Sequence, residues 1–266
     1  MNEPVLLIEK DEGVAVVTLN RPGKMNSLSR DLRRELVAAF RSLNDDADVD
    51  VIILTGRGRA FCAGLDLAEL GGGGGSSEDA ASRQERENVV AGADVVAAVE
   101  QFGGPVIGAI NGFAITGGFE LALACDVLIA SADARFADTH ARVGILPGWG
   151  LSQKLSRAIG IYRAKELSLS GNFLGAAQAA DWGLVNRVVP ADELLPAARA
   201  LAREMQGCPR AVLRAYKSLI DEGARQTLAD ALALETARSR EHMRTVSATD
   251  IAARREGVQS RGREQA

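Results

Sequence analysis

The feature that most constrains the fold is an apolar run that leads into a glycine-rich turn and then a helix. The run covers 105–110 (PVIGAI), and its short continuous apolar character predicts a buried strand. Gly117 and Gly118 follow and open a predicted helix whose body is small and apolar. Because glycine lacks a Cβ atom, another group can approach the backbone closely at these positions. The stretch therefore predicts a strand–turn–helix unit.

The same turn is a candidate binding site. The first N–H groups of a helix have no acceptor within it, and the helix dipole makes that end partly positive. A carbonyl oxygen that gains negative charge would be stabilised there. Glu120 lies three residues after Gly117, so its carboxylate can project beside these donors. A tight packing turn with Glu120 as an ordinary first-turn acid fits equally well, and this stretch alone leaves both interpretations open.

Upstream of this turn, the sequence predicts a hairpin and then a helix. Two β-type runs at 5–9 and 14–19 are separated by Glu12-Gly13, which indicates a tight turn. Ser29 is the predicted N-cap of a helix over about 30–44. The all-apolar run 51–55 follows, and it is of the kind that is buried on both faces of a sheet.

Strands and helices continue to alternate, which predicts an α/β fold with parallel pairing. Residues 56–67 are predicted as a loop, which by itself fits a surface connection better than a ligand site. Further strands are predicted at 126–130, 134–137 and 185–189, and further helices at 82–102, 150–159 and 161–169. The glycine-rich segment 71–79 cannot bury enough to order itself, and we expect a mobile loop within the domain.

From residue 191 onward the periodicity is entirely helical. Helices are predicted at about 191–206, 209–222, 226–242 and 247–258. This change in pattern predicts a mixed α/β core over 1–195 and an all-helical region over 196–266.

Composition excludes several classes of partner. A net charge of −4 and a pI of about 5.4 argue against nucleic acid or an anionic membrane surface. Cys62, Cys125 and Cys208 show no metal-ligand spacing, and an odd number of cysteines suits a reducing compartment. The sequence shows neither an evident signal peptide nor an apolar run of roughly 20 residues that could span a bilayer. We therefore expect a cytoplasmic protein without a metal site.

Four motifs, taken together and in order, resemble the crotonase (enoyl-CoA hydratase/isomerase) superfamily over the chain up to about residue 258. They are 19–22 (LNRP) with 26–28 (NSL), 60–67 (AFCAGLDL), 111–121 (NGFAITGGFEL) and 144–148 (GILPG). The resemblance implies a spiral of repeated ββα units whose C-terminal helical region mediates assembly into a homotrimer or a dimer of trimers. It also implies an acyl-CoA thioester as ligand and no cofactor, since coenzyme A is part of the substrate.

The resemblance also carries roles over to individual positions. The backbone N–H groups of Ala63 and Gly117 match the oxyanion-hole donors that hold a thioester enolate. Lys24 and Lys217 become candidates for the phosphates of CoA, Lys217 from a neighbouring subunit, although solvated surface charges fit both lysines equally. The remaining positions that match CoA-lining segments are Gly64, Leu65, Asp66 and Leu67.

The catalytic pair departs from the family pattern. Two glutamates of the family's hydratases hold one water and add it across the C2–C3 double bond. The first matches Glu120, but the second position holds His140, and Thr139 stands where proline is usual. An imidazole can transfer protons near neutral pH, so His140 is either a second acid/base or orienting group, or a structural residue in a site that lost an acid. Asp138 points away if this segment is extended and can reach the pocket if it turns.

These features predict an enoyl-CoA hydratase-like lyase that adds water syn to a 2-enoyl-CoA through an enolate, with Glu120 activating the water. One alternative is another crotonase-type reaction, such as enoyl-CoA isomerisation or acyl-CoA hydrolysis, which would reuse the enolate site. Another is a non-catalytic acyl-CoA binding protein; the intact Glu120 counts against it and His140 counts for it. Trp149, the 71–77 loop and the 82–102 helix are expected to limit acyl-chain length.

Overall fold

The computed structural model describes residues 3–66, residue 69 and residues 94–264, and its elements are numbered here over those residues. Leu67, the glycine-rich segment 71–79 and the first part of the predicted 82–102 helix lie outside them. Contacts divide the chain into two compact units, Met1–Arg214 and Ala215–Ala266.

Six strands form the large sheet of the first unit. They are β1 (Leu6–Asp11), β2 (Val14–Leu19), β3 (Val51–Gly56), β5 (Val106–Ile110), β7 (Val127–Ser131) and β10 (Arg187–Val189), and this is also their order across the sheet. All neighbours are parallel except β1 and β2, which form the predicted hairpin. Glu12 and Gly13 have φ values of 45° and 81°, and positive φ at both turn positions matches the twist of paired strands.

Four three-residue strands form a smaller sheet. They are β4 (Ala60–Cys62), β6 (Phe113–Ile115), β8 (Arg135–Ala137) and β9 (Phe173–Gly175), of which the first three are mutually parallel and β9 is antiparallel to β8. Each of β3, β5 and β7 continues into the strand of the small sheet that follows it in the chain. The chain therefore advances by one strand in both sheets at every turn, which is the predicted spiral.

The predicted loop over 56–67 was wrong where it contains β4. A strand of three residues is too short to show the alternation of apolar and polar positions by which strands are recognised in sequence.

Helices occupy most of the remaining described chain. In the first unit these are α1 (Arg30–Asp45), α2 (Asp94–Glu100), α3 (Gly117–Ala122), α4 (His140–Val143), α5 (Leu151–Ile159), α6 (Ile161–Ser170), α7 (Ala176–Asp181) and α8 (Leu194–Gln206). The helix α9 (Arg210–Gly223) contains the division between the units, and α10 (Leu228–Met243) and α11 (Ala248–Glu264) belong to the second. Ser29 caps α1 as predicted, because its hydroxyl accepts from the Leu32 N–H at 3.3 Å.

Both faces of the inner strand β3 are buried. Ile52 and Leu54 of β3 belong to the core shared with α1 and α2, whereas Val51 and Ile53 face the opposite side and pack with α8. Two-sided burial explains why β3 is a continuous apolar run. The predicted boundary after residue 195 would cut through α8, whose Leu194, Ala198 and Ala202 are buried in this second cluster.

The second unit is helical throughout its described part. Glu222 of α9 accepts from the Ser218 hydroxyl at 2.6 Å and pairs with Arg238 of α10 at 3.1 Å. Thr227 caps α10 by accepting from the Asp230 N–H at 3.3 Å. Among the residues that the structure describes, no helix is both long enough and apolar enough to cross a membrane.

Candidate active site

The segment after β4 is held beside the segment after the 3-10 turn Pro22–Lys24. Leu28 and Leu65 form a parallel bridge in which the Leu28 N–H donates to the Gly64 carbonyl at 2.8 Å and the Asp66 N–H donates to the Leu28 carbonyl at 3.4 Å. Along an extended strand, neighbouring residues direct their N–H and C=O groups to opposite sides. The Leu65 N–H is therefore directed away from Leu28.

The Ala63 amide is already paired within the protein. Its N–H donates to the Met25 carbonyl oxygen at 3.0 Å, so the predicted donor is not open to a ligand in this structure. The Leu65 N–H, by contrast, has no acceptor among the described residues. Sequence reasoning had placed Leu65 only among the CoA-lining positions. The sequence does not distinguish Leu65 from Ala63 as a donor, because the two residues flank Gly64 and each has a backbone N–H.

Gly117, the first residue of α3, lies directly beside this segment. A Cβ atom on Gly64, whose φ is +89°, would lie 3.2 Å from the Gly117 nitrogen and 2.9 Å from the Ile115 carbonyl oxygen. A Cβ atom on Gly117 would lie 3.6 Å from the Leu65 nitrogen and 3.2 Å from Cζ3 of Trp149. The Gly117 N–H also lacks an acceptor in the described part of the chain. Two amides without acceptors among the described residues thus lie close to each other.

The two glycines at the start of α3 serve different purposes. A Cβ atom on Gly118 would overlap the Cys62 carbonyl group of β4, so this glycine permits close packing of α3 on the small sheet. The tight-packing interpretation therefore holds for Gly118, while Gly117 borders the open amides. Because α3 is only six residues long, the direction of the individual N–H groups matters more here than a helix dipole.

Glu120 projects from α3 into the same region and is oriented by the backbone. Its Oε1 accepts from the Trp149 N–H at 2.8 Å and from the Leu151 N–H at 3.4 Å, at the start of α5. Its Oε2 lies 3.7 Å from Nε2 of His140. Glu120 is only 2% exposed. Its carboxylate is held with one oxygen fixed by the two amides and the other oxygen facing the imidazole.

His140 begins the short helix α4, where the chain turns rather than continuing β8. The turn brings Asp138 to the imidazole: its Oδ1 lies 2.7 Å from Nδ1 of His140 and accepts the His140 backbone N–H at 3.1 Å. The open question about Asp138 is thereby answered, because its carboxylate contacts the ring that faces Glu120. His140 and Asp138 are both buried.

Thr116 ties the Gly117 turn to the His140 segment. Its N–H donates to the Ala137 carbonyl at 2.9 Å, and its hydroxyl is hydrogen-bonded to the Thr139 hydroxyl. Thr116 adopts φ 54° and ψ −113°, which is strained for a residue with a side chain. These bonds fix the spacing between the open Gly117 amide and His140.

Burial and hydrogen bonding shift the two carboxyl groups in opposite directions. Burial raises the pKa of Glu120, although the Trp149 and Leu151 amides and the His140 ring oppose this. Burial also acts to raise the pKa of Asp138, but hydrogen bonds from His140 and Ser168 outweigh it, and the pKa of Asp138 lies below its usual range. Asp138 therefore stays ionised while Glu120 accepts a proton more readily, a division that suits acid–base chemistry.

The remaining predicted binding residues are placed less centrally. Lys24 is exposed in the 3-10 turn, and Asp66 accepts from Arg21 at 2.9 Å and from the Ser27 hydroxyl at 3.2 Å. Lys217 belongs to the second unit, so its role stays a prediction. No group of three or more metal-ligating side chains occurs among the residues that the structure describes.

The chain matches known proteins over most of its length. The family model described as "Enoyl-CoA hydratase/isomerase" matches residues 9–261. A relative from Arabidopsis thaliana named "Probable enoyl-CoA hydratase 1, peroxisomal" is 40% identical over 98% of this chain and 96% of its own. "Crotonyl-CoA hydratase" of Syntrophomonas wolfei is 36% identical over 86% of both chains.

A solved structure of an enoyl-CoA hydratase from Bacillus anthracis superposes with a TM-score of 0.86 at 33% identity. The match covers 98% of this chain and 96% of that one. The matched share of sequence and fold is far larger than a single shared motif would give. The chain therefore belongs to the enoyl-CoA hydratase/isomerase family.

Proposed function

We propose that this protein hydrates 2-enoyl-CoA thioesters. The observation that carries the proposal is the buried pair of Glu120 Oε2 and His140 Nε2, 3.7 Å apart and within the same unit as two unpaired amides. That separation leaves room for one water about 2.8 Å from both atoms. A polarised thioester beside such a water is the arrangement that hydration needs.

The thioester oxygen would be held by the N–H groups of Leu65 and Gly117. This replaces the predicted Ala63 donor, whose N–H is bonded to Met25. Negative charge grows on the oxygen as water adds, so donors fixed in advance stabilise the transition state more than the substrate. Removing one such donor typically costs about 3–4 kcal/mol of that stabilisation.

Glu120 and His140 would divide the proton transfers. Glu120 takes a proton from the water while the water oxygen bonds to C3. The C2–C3 π electrons move into the C2–C1 bond, which gives the enolate. The enolate then reforms the carbonyl as C2 takes a proton from Nε2 of a protonated His140. Transfer of the proton from Glu120 back to His140 restores the starting state, and delivery from the same side gives syn addition.

Substrate recognition would combine CoA contacts with a wall for the acyl group. Lys24, with Lys217 of a neighbouring subunit, remains our candidate for the CoA phosphates, and Asp66 is fixed by Arg21 near the entrance segment. Trp149 is buried with its ring beside Gly117, so it would limit the group attached to the thioester. The reaction needs no cofactor beyond the CoA of the substrate. We further propose a cytoplasmic homotrimer or dimer of trimers.

The test is incubation of the purified protein with crotonyl-CoA, following loss of the conjugated-thioester absorbance and identifying the product. We expect 3-hydroxybutyryl-CoA, and a fall in kcat of about 10²–10⁴-fold for Glu120→Gln. The matched control is Glu193→Gln, at an exposed position away from the site, which should behave as the native protein. Free CoA or a migrated double bond as the product would instead support hydrolysis or isomerisation, and binding without turnover would support a non-catalytic protein.

A further inference from the structure

Three buried ionisable groups lie in a row, with a carboxylate on each side of one imidazole. Asp138, His140 and Glu120 are 2%, 5% and 2% exposed. Nδ1 of His140 is 2.7 Å from Asp138, and Nε2 is 3.7 Å from Glu120. The hydration proposed above uses only Glu120 and the Nε2 side of His140, and it leaves Asp138 without a task.

The contact at Nδ1 determines where the imidazole carries its proton. An ionised carboxylate can only accept hydrogen bonds, so at 2.7 Å the Nδ1 atom must be the donor. Asp138 is itself held in place, because its Oδ1 also accepts the His140 backbone N–H at 3.1 Å. The neutral ring then carries its hydrogen on Nδ1 and presents a bare Nε2 to Glu120.

Charge counting gives the same contact a second consequence. With Asp138 ionised, Glu120 and His140 share one exchangeable proton, and the buried group carries a single net negative charge wherever that proton lies. Without the Asp138 charge, protonation of His140 would place an imidazolium in a buried site with only Glu120 to stabilise it. The ionised Asp138 beside Nδ1 therefore compensates the positive charge of the ring that donates to C2.

We propose that Asp138 is a positioning residue for proton transfer: it holds His140 in the Nδ1–H form, directs Nε2 toward the reacting atoms and stabilises the imidazolium. This inference rests on the proposed hydration for its catalytic consequence. Asp138 acts through His140, because it contacts Nδ1 while Nε2 faces Glu120.

The competing explanation is a purely structural turn. A side-chain oxygen that accepts the N–H two residues later is a common Asx turn, and aspartate and asparagine serve equally well there. Asp138→Asn therefore separates the two explanations, because it keeps an acceptor for the turn but removes the charge. It also allows the amide NH₂ to donate to Nδ1, which would force the opposite tautomer.

The measurement uses ¹⁵N-histidine labelling of the full-length protein, whose two histidines, His140 and His242, are told apart by a His242→Gln variant. At a pH high enough to leave the ring neutral, we expect His140 of the native protein to carry its hydrogen on Nδ1 and to have a bare Nε2. Asp138→Asn should move the proton to Nε2. The matched control is Asp133→Asn, an exposed aspartate between β7 and β8, which should leave the signal unchanged.

Kinetics supply the second measurement. We expect Asp138→Asn to lower kcat with crotonyl-CoA by about 10²-fold or more with little change in KM. A native protein whose neutral His140 carries its hydrogen on Nε2, or an Asp138→Asn protein that matches Asp133→Asn in tautomer and kcat, would overturn the inference. The native tautomer is measured without any variant, so poor folding of Asp138→Asn cannot leave the question unanswered. Absence of hydration by the native protein would refute the proposed function alone.

Discussion

The direction of a single N–H group decides which residue can bind an oxyanion. The amides of Ala63 and Leu65 belong to the same short segment, yet the first donates to Met25 and the second has no acceptor among the described residues. The bridge between Leu28 and Leu65 uses the Gly64 carbonyl and the Asp66 N–H, which turns the Leu65 N–H away from Leu28, and the Leu65 nitrogen lies beside Gly117. Main-chain chemistry of this kind is independent of the side chain, so it must be tested on the backbone itself.

Replacing a residue by its α-hydroxy acid converts one amide into an ester and removes only the N–H. At Leu65 we expect kcat to fall by about 10²–10³-fold, because the enolate loses one of its two donors. The same change at Ala63 is the matched control. It removes the bond to Met25 and should affect stability more than turnover. A larger loss of kcat at Ala63 than at Leu65 would restore Ala63 as the donor.

The raised pKa of Glu120 predicts the acidic limb of the pH profile. In the proposed reaction Glu120 must be ionised to activate water, and burial raises its pKa above the ordinary glutamate value of 4.5. Activity should therefore be lost, as pH falls, at a higher pH than an exposed glutamate would give. The profile of kcat/KM against pH, measured on the free enzyme with limiting substrate, reports this value.

The same shift has a consequence for stability with a definite sign. A pKa that is raised in the folded protein means that the fold binds the proton more tightly than the unfolded chain. Glu120 therefore reduces the free energy of unfolding as pH rises from 4.5 through the raised pKa. The Tm of Glu120→Gln minus the Tm of the native protein should therefore increase as pH rises through that window. A Tm difference that does not depend on pH would contradict the raised pKa.

At the scale of elements, the close packing of α3 on β4 holds the open amides together. The missing Cβ of Gly118 lets the first turn of α3 rest on the Cys62 carbonyl, and Cys62 precedes Leu65 by three residues. Thr116, in its strained conformation, links the same turn to Thr139. The end of β4, the start of α3 and the segment with Thr139 thus together position groups that no single one of these elements could position alone.

Gly118→Ala tests this packing. The added methyl group would overlap backbone rather than a flexible side chain, so we expect the free energy of unfolding to fall by about 1–3 kcal/mol or more. Gly23→Ala is the matched control, since a Cβ atom there meets nothing within 4 Å. Urea unfolding of both variants gives the comparison, and equal stability would show that the helix can shift without loss.

At the scale of the whole molecule, the described helices of the second unit expose many large apolar side chains. They are Tyr216, Ile220, Leu228, Leu232, Met243, Ile251 and Val258. Apolar surface of this extent on helices is typical of an interaction surface. The resemblance to the family implies that copies of this chain cover it.

We therefore predict a particle of three or six times the 28.0 kDa chain mass in sedimentation equilibrium. Leu232→Arg, which places a charge at an exposed apolar position of α10, should shift the distribution toward the monomer. Ala237→Arg lies on another side of the same helix and adds the same charge, so it serves as the control. A native protein that sediments as a monomer at all concentrations would contradict the prediction.

Some elements of the fold could be predicted from the sequence and others could not. The hairpin, α1 with its Ser29 cap and the buried β3 follow from local pattern, because turn residues, caps and apolar runs act within a few positions. The three-residue strands of the small sheet do not follow from local pattern. Their pairing partners are distant in the chain, and three residues are too few to show an alternation of apolar and polar positions.

The sequence by itself determined the family and the spiral α/β architecture, and it predicted roles for Gly117, Glu120 and His140, since these inferences depend on residue types at fixed spacing. Only the tertiary structure decided that Ala63 is paired with Met25, that Leu65 is open and that Asp138 turns back onto His140. The physical reason is that a hydrogen bond depends on the direction of its donor and acceptor. That direction is set by contacts between segments that lie far apart in the chain.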